Sequence, residues 1–400
     1  MKYKAAVLLI GAAILFFAAL GYTKVKNFQQ DAVKANAEIV SVKSETEAYS
    51  QTEPPSEAGE AALCKRSFIA DDKHVKPLGR SLMRDDVRTF TYTCSGIEFE
   101  FTGTSADIDV VCGGKVRIAV YLNDKMITDE FFEKGETKLE VFSSDVSEKC
   151  KIAVRKLSQV GGNYVGIKSI NVVSENDISP TAEKSRSIEF IGDSVTCGYG
   201  IDSETTYDGF SGASENGSKS YAALTAEKLN AEYSICAYGG IGVYSSYSET
   251  SVPNQTLLIG ELYGTHGMLE KDWDFSLYQP DLIVINMGAN DNVWVNGREE
   301  RKDKFGKAYY ELISQVREAN PDAHIICSFG VLGKGLMDEI REQAERFCKD
   351  TGDKKISCFE FEAQDIERDG YGTSYHPSAI THENMAKALS DHISELLGWK

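Results

Sequence analysis

At 400 residues the chain is too long to be a lone small binding module and has room for two or three domains. Its 61 acidic against 43 basic side chains leave a formal charge of −18, which argues against sequence-independent binding to a phosphate backbone. A hydrophobic fraction of 42% argues against both a disordered chain and a polytopic membrane protein.

Lys2 and Lys4 precede an apolar run over residues 5–21, which Lys24 and Lys26 close. Residues 1–26 thus read as an export signal, either a cleaved signal peptide or a membrane anchor, and as the only membrane contact expected. Residues 27–63, rich in Gln, Ser, Thr, Glu and Ala with Pro54 and Pro55, read as a flexible linker. Nine scattered cysteines, with no C-x-x-C spacing, predict neither a metal site nor a disulfide framework.

From residue 64 to 180 apolar residues alternate with polar ones. Ile97, Phe99 and Phe101 face Glu98 and Glu100, and Ile118 and Val120 face Arg117 and Tyr121. Period two with turns such as Asn123-Asp124 predicts an all-β, antiparallel sandwich. Beyond residue 180 continuous apolar strands such as residues 282–285 alternate with helical patterns. One such pattern is Phe305, Tyr309, Leu312, Ile313 and Val316, which ends at Asn320-Pro321. Strands apolar on both faces, interleaved with helices, predict a three-layer α/β domain with a parallel sheet over residues 181–400.

Open α/β sheets bind ligands beyond the carboxyl ends of their strands. There the first strand breaks into Gly192-Asp193-Ser194-Val195, leaving Ser194 as a nucleophile candidate, although Gly-Asp-Ser is also a common turn and helix cap. A second strand end carries Gly288-Ala289-Asn290-Asp291, whose Asn290 is either an oxyanion donor or a turn-capping amide. A third, Gly239-Gly240, lets a backbone N–H approach substrate. Ser194, Gly240 and Asn290 would form an oxyanion hole. Among six histidines, His376 alone sits in a glycine-rich loop entering the last helix, where it would act as general acid and base for Ser194. Cys197 reads as a small buried residue, and Gly330 to Gly335 lacks the length and hydroxyl of a phosphate loop. Tyr199, Tyr207, Tyr244 and Trp294 lie near the expected cleft as packing residues or as platforms for sugar rings.

These four blocks, centred in order on Ser194, Gly240, Asn290 and His376, resemble those of the SGNH (GDSL-type) hydrolases. The preceding strand-rich segment is most similar to the jelly-roll domain of carbohydrate esterase family two. The resemblance implies an exported serine esterase, without metal or organic cofactor, that removes O-acetyl groups from plant polysaccharides of the xylan or glucomannan type. Rival readings are the same machinery on a bacterial glycan, lipid or thioester, or a catalytically silent carbohydrate-binding protein. Val195 replaces the usual Leu or Ile after the serine, and no Asp stands two or three residues before His376. The loop before His376 would then orient the ring through a main-chain carbonyl.

Overall fold

The alternating segments between residues 64 and 180 form ten antiparallel strands: β1 (Cys64–Phe68), β2 (Lys76–Leu78), β3 (Leu82–Arg84), β4 (Val87–Phe90), β5 (Gly96–Cys112), β6 (Val116–Leu122), β7 (Lys125–Phe132), β8 (Gly135–Lys156), β9 (Val165–Ser174) and β10 (Ser179–Pro180). The computed structural model describes residues 62–159, 162–203, 212–267, 272–333 and 335–399. The expected export segment, nearly all of the expected linker, Tyr207 and Lys334 lie outside the described residues.

Asn123 and Asp124 both adopt left-handed φ, 49° and 67°, as a two-residue turn between β6 and β7 requires. Hydrogen bonding runs without interruption through all ten strands, in the order β3-β4-β9-β5-β8-β6-β7 with β1 on β9 and β2 and β10 on β5. The reason is the length of β5 and β8. They pair from Gly96↔Arg155 to Cys112↔Gly135, with register shifts at Gly103/Ser105, where the partner steps from Glu148 to Ser143, and at Ala106/Asp107, where it steps from Phe142 to Glu140. Such irregularities bend and twist a strand without ending it. Phe99 and Ile108 of β5, Ile118 of β6, Val154 of β8 and Ile170 of β9 meet in a single apolar core.

Beyond β10 lie the parallel strands β11 (Ser187–Gly192), β12 (Glu232–Ala237), β13 (Leu282–Asn286), β14 (His324–Val331) and β15 (Ile356–Ala363), in spatial order β12-β11-β13-β14-β15. The helices are α1 (Ser194–Cys197), α2 (Tyr221–Lys228), α3 (Ile259–Tyr263), α4 (Ala289–Val295), α5 (Glu299–Ala319), α6 (Met337–Thr351), α7 (Ile366–Asp369) and α8 (Ala379–Leu397). Along β13, Ile283 and Ile285 pack with Phe305 and Ile340 of α5 and α6. Leu282 and Val284 pack on the other face with Ala222 of α2 and Leu389 of α8. Burial on both faces accounts for the unbroken apolar run of this strand.

Residues 61–400 form one compact unit. Arg80 of the antiparallel region is fully buried and pairs with Glu189 of β11 at 3.0 Å. Lys76 bridges Glu98 and Glu232 at 3.0 and 2.7 Å, and Arg117 of β6 reaches Asp202 at 2.8 Å.

Candidate active site

Three adjacent strands deliver their carboxyl ends to one edge: β12 to Tyr238-Gly239-Gly240, β11 to Asp193-Ser194, and β13 to Gly288-Ala289-Asn290. The chain runs from β11 out to β12 and then crosses to β13 on the other side. This edge is therefore the switch point at which doubly wound sheets open a crevice.

Ser194 is the first residue of α1, and the Asp193 carboxylate caps that helix by accepting from the Val195 N–H at 3.0 Å. The cap is thus Asp193, which leaves the Ser194 hydroxyl to other partners. The Ser194 Oγ lies 2.8 Å from His376 Nε2 across 182 residues of sequence. Asn290 Nδ2 donates to the Ile241 carbonyl at 2.8 Å and makes a weaker, 3.4 Å contact with Asp193 Oδ2. Gly240, at φ 78°, takes a left-handed conformation that penalises any side chain, although a Cβ there would meet nothing within 4 Å.

His376 is carried by a tight loop. Gly372 N–H donates to the His376 carbonyl at 2.8 Å, and the Gln364 side chain holds the Tyr375 carbonyl at 2.9 Å. These contacts support two consecutive non-glycine residues in the left-handed region, Ser374 at φ 53° and Tyr375 at φ 60°. A Cβ on Gly372 would come within 2.3 Å of the Gly200 carbonyl, so the loop can lie against the end of the nucleophile segment only with glycine there. Tyr199 packs edge-on against the imidazole, ring centres 4.7 Å apart. Burial pushes the His376 pKa down to about 4, opposed by the main-chain groups of Ser374 and Thr373 against the ring. No hydrogen bond of good geometry reaches Nδ1 from the described residues. Asp365 caps α7 through the Arg368 N–H, and Asp369 is held by Arg368 at 2.5 Å and by Asn384 at 3.3 Å. Both upstream carboxylates are thus engaged elsewhere.

Of the aromatic candidates, Tyr199 and Trp294 are 4% and 2% exposed. Neither presents a ring face to a sugar. Tyr199 supports His376, and Trp294 packs between Tyr244 and Arg301 with its Nε1 on the Ser251 carbonyl at 3.3 Å. Their apolar area is satisfied inside the fold, which corrects the platform reading. Tyr244 keeps partial exposure.

Sequence reading assigned no role to Asp291 or His382. The fully buried Asp291 carboxylate accepts from the N–H groups of Val243, Tyr244 and Ser245 at 2.9, 2.8 and 2.8 Å, clamping the segment that follows Gly240. Burial pushes its pKa up to about 6 and that of Asp193 up to about 7. His382 of α8 is fully buried near His376 and accepts from the Tyr221 N–H at 3.0 Å. Burial, then the nearby His376, pushes its pKa down to about 3. The Asn290-Asp291 pair was a visible signal for Asp291, whereas nothing local distinguishes His382.

Residues 190–383 match the GDSL-like Lipase/Acylhydrolase family. The chain is 32% identical over 76% of its length to the Cellulase/esterase CelE of Acetivibrio thermocellus, of whose own length it spans 37%. It is 24% identical over 83% of its length to an Acetylxylan esterase / glucomannan deacetylase of Cellvibrio japonicus, covering 92% of that protein. Among solved structures, a family two carbohydrate esterase from Clostridium thermocellum in complex with cellohexaose superposes with a TM-score of 0.73 at 31% identity, over 82% of this chain and 100% of the other. Identity at that level over the whole of a solved enzyme, with a GDSL-type match spanning all four blocks, makes this chain an esterase that belongs to carbohydrate esterase family two.

Proposed function

We propose that the protein is an exported serine esterase that removes O-acetyl groups from plant cell-wall polysaccharides of the xylan or glucomannan type. The observation that carries this reading is the 2.8 Å contact between Ser194 Oγ and His376 Nε2, at a sheet edge shared with Gly240 and Asn290. His376 accepts the hydroxyl proton as Oγ adds to the acetyl carbonyl carbon, whose π electrons move onto oxygen. The Ser194 and Gly240 N–H groups and the more weakly engaged N–H of Asn290 stabilise that oxyanion. Collapse expels the sugar oxygen, which takes the proton from His376 and leaves acetyl-Ser194. Water, deprotonated by His376, then adds to the acetyl carbonyl, and collapse breaks the bond to Ser194 Oγ, which takes the proton back from His376 as acetate leaves. The names of the relatives, acetylxylan esterase and glucomannan deacetylase among them, favour this substrate class. The N-terminal apolar run supports export.

The test is NMR of acetyl signals on acetylated xylan and glucomannan incubated with the full chain. Wild type is expected to release acetate. Ser194→Ala is expected to lose turnover by at least about 10⁴-fold with its melting temperature preserved, because its hydroxyl supplies the covalent step. Wild-type turnover in that variant refutes the mechanism, and a strong preference for long acyl chains on synthetic esters refutes the acetyl specificity.

A further inference from the structure

The turn that carries Gly240 is loosely built. Ile241 N–H closes it on the Tyr238 carbonyl at 3.3 Å, and Gly240 at φ 78° in third position gives it the form of a type II turn with glycine at both central residues. In such a turn the central peptide, which bears the Gly240 N–H, flips between the type I and type II orientations by rotating about its two neighbours. Two glycines oppose that rotation least. A flip would reverse the direction of the Gly240 N–H, and with it the proposed oxyanion donor.

The two flanking peptides are anchored. The Gly240 carbonyl accepts from the Tyr247 N–H at 2.8 Å. On the other side, the Gly239 N–H donates at 3.3 Å to Oε1 of Gln159, which comes from the end of β8 in the antiparallel region, 80 residues away. Gln159 is 3% exposed and also lies against the Tyr238 hydroxyl. Its own N–H donates to the buried Glu215 carboxylate. The Glu215 carbonyl is held by Arg117 at 3.0 Å, and the next residue, Asn216, donates its N–H to the Gly198 carbonyl at the end of α1. One network therefore ties the nucleophile helix, the exit of β8 and the Gly239-Gly240 turn together.

We infer that Gln159 is a positioning residue for the oxyanion hole, through which the antiparallel region sets the orientation of the Gly240 N–H. The inference rests on the proposed role of Ser194 and Gly240. Losing an oxyanion donor outright costs about 10² to 10³ in turnover, so loosening one is expected to cost about 10- to 100-fold.

The experiment measures kcat and KM on a soluble acetyl ester, affinity for a boronic acid that forms a tetrahedral adduct with Ser194, and melting temperature. Gln159→Met keeps the length of the side chain and removes the acceptor. It is expected to lower kcat and boronate affinity in parallel, with KM within about twofold of wild type. Gln159→Glu keeps an acceptor of the same reach and is expected to retain activity within about fivefold. Hydrogen exchange of the wild-type Gly239 amide needs no variant and is expected to show protection. Wild-type kcat in Gln159→Met, equal losses in the Met and Glu variants, or an unprotected Gly239 amide each overturns the inference. Ser194→Ala separates the two levels. If it is inactive while Gln159→Met matches wild type, only the Gln159 role fails, and if it is active the esterase mechanism itself fails.

Discussion

Replacing Arg80 by Met should be among the most destabilising single changes in the protein. The guanidinium is fully buried, donates to Glu189 Oε1 from Nε at 3.2 Å and Nη2 at 3.0 Å, and donates from Nη1 to the Tyr263 and Thr265 carbonyls at 2.7 and 2.9 Å. It also lies over the Tyr263 and Trp273 rings at 4.9 and 5.1 Å. Met fills much of the stem volume but, among the described residues, leaves the Glu189 carboxylate, 2% exposed, with the hydroxyls of Tyr263 at 3.2 Å and Ser234 at 3.4 Å. Removing one partner of a buried pair typically costs about 3–5 kcal/mol, whereas replacing both by apolar side chains is often close to neutral. Two carbonyls lose their donor as well, so we expect about 4 kcal/mol for Arg80→Met. The double variant Arg80→Met/Glu189→Leu is expected to recover at least about 2 kcal/mol of that loss, because no buried charge then remains. Urea unfolding at pH 7, followed by near-ultraviolet circular dichroism and by esterase activity, measures both. A cost below about 1 kcal/mol for the single variant, or a double variant no more stable than the single one, would refute the view that this pair locks the antiparallel region to β11.

Two further expectations concern the acid-base machinery. The proposed mechanism needs neutral His376, and burial disfavours the imidazolium, so lowering the pH should leave activity nearly intact through about 6, the ordinary histidine range. The acid limb of kcat/KM is expected below that range, on the side of the lowered value of about 4, with water at the half-buried ring moderating the shift. A limb centred at 6.5 or above would show that the ring is not desolvated in the free enzyme. Asp365→Asn and Asp369→Asn should each stay within about tenfold of wild-type turnover, a loss of roughly 1.4 kcal/mol or less, because neither carboxylate meets His376. A thousandfold loss for either one, against the about 10⁴ seen when a triad aspartate is replaced, would reveal a triad carboxylate.

Local pattern was enough to separate the antiparallel strands from the parallel ones and to pick out candidate blocks at the strand ends. Alternation along residues 97–101 and 116–122 reports one buried face. The unbroken run of β13 reports two, and Asn320-Pro321 ends α5 because proline cannot continue a helix. Ser194, Gly240 and Asn290 were legible as site candidates because each lies shortly after an apolar strand, and parallel packing of those strands brings their ends to one edge. What period and spacing do not carry is the identity of partners far apart in sequence. Trp294 and Tyr199 looked available for sugar because aromatic side chains read alike whether they pack or bind, and only the fold buries them. The continuous pairing of β5 with β8 over their whole length depended on where their register shifts, a matter of cross-strand contacts rather than of alternation. His382 beside His376, Arg80 on Glu189 and Gln159 on the Gly239 turn each join segments that share no local motif. The chain by itself determined its elements and the chemistry at the strand ends, since those follow from neighbours in sequence. The setting of the candidate residues, from the lowered His376 pKa to the anchored Gly239-Gly240 turn, was decided by tertiary packing, because burial and long-range hydrogen bonds exist only once distant segments have met.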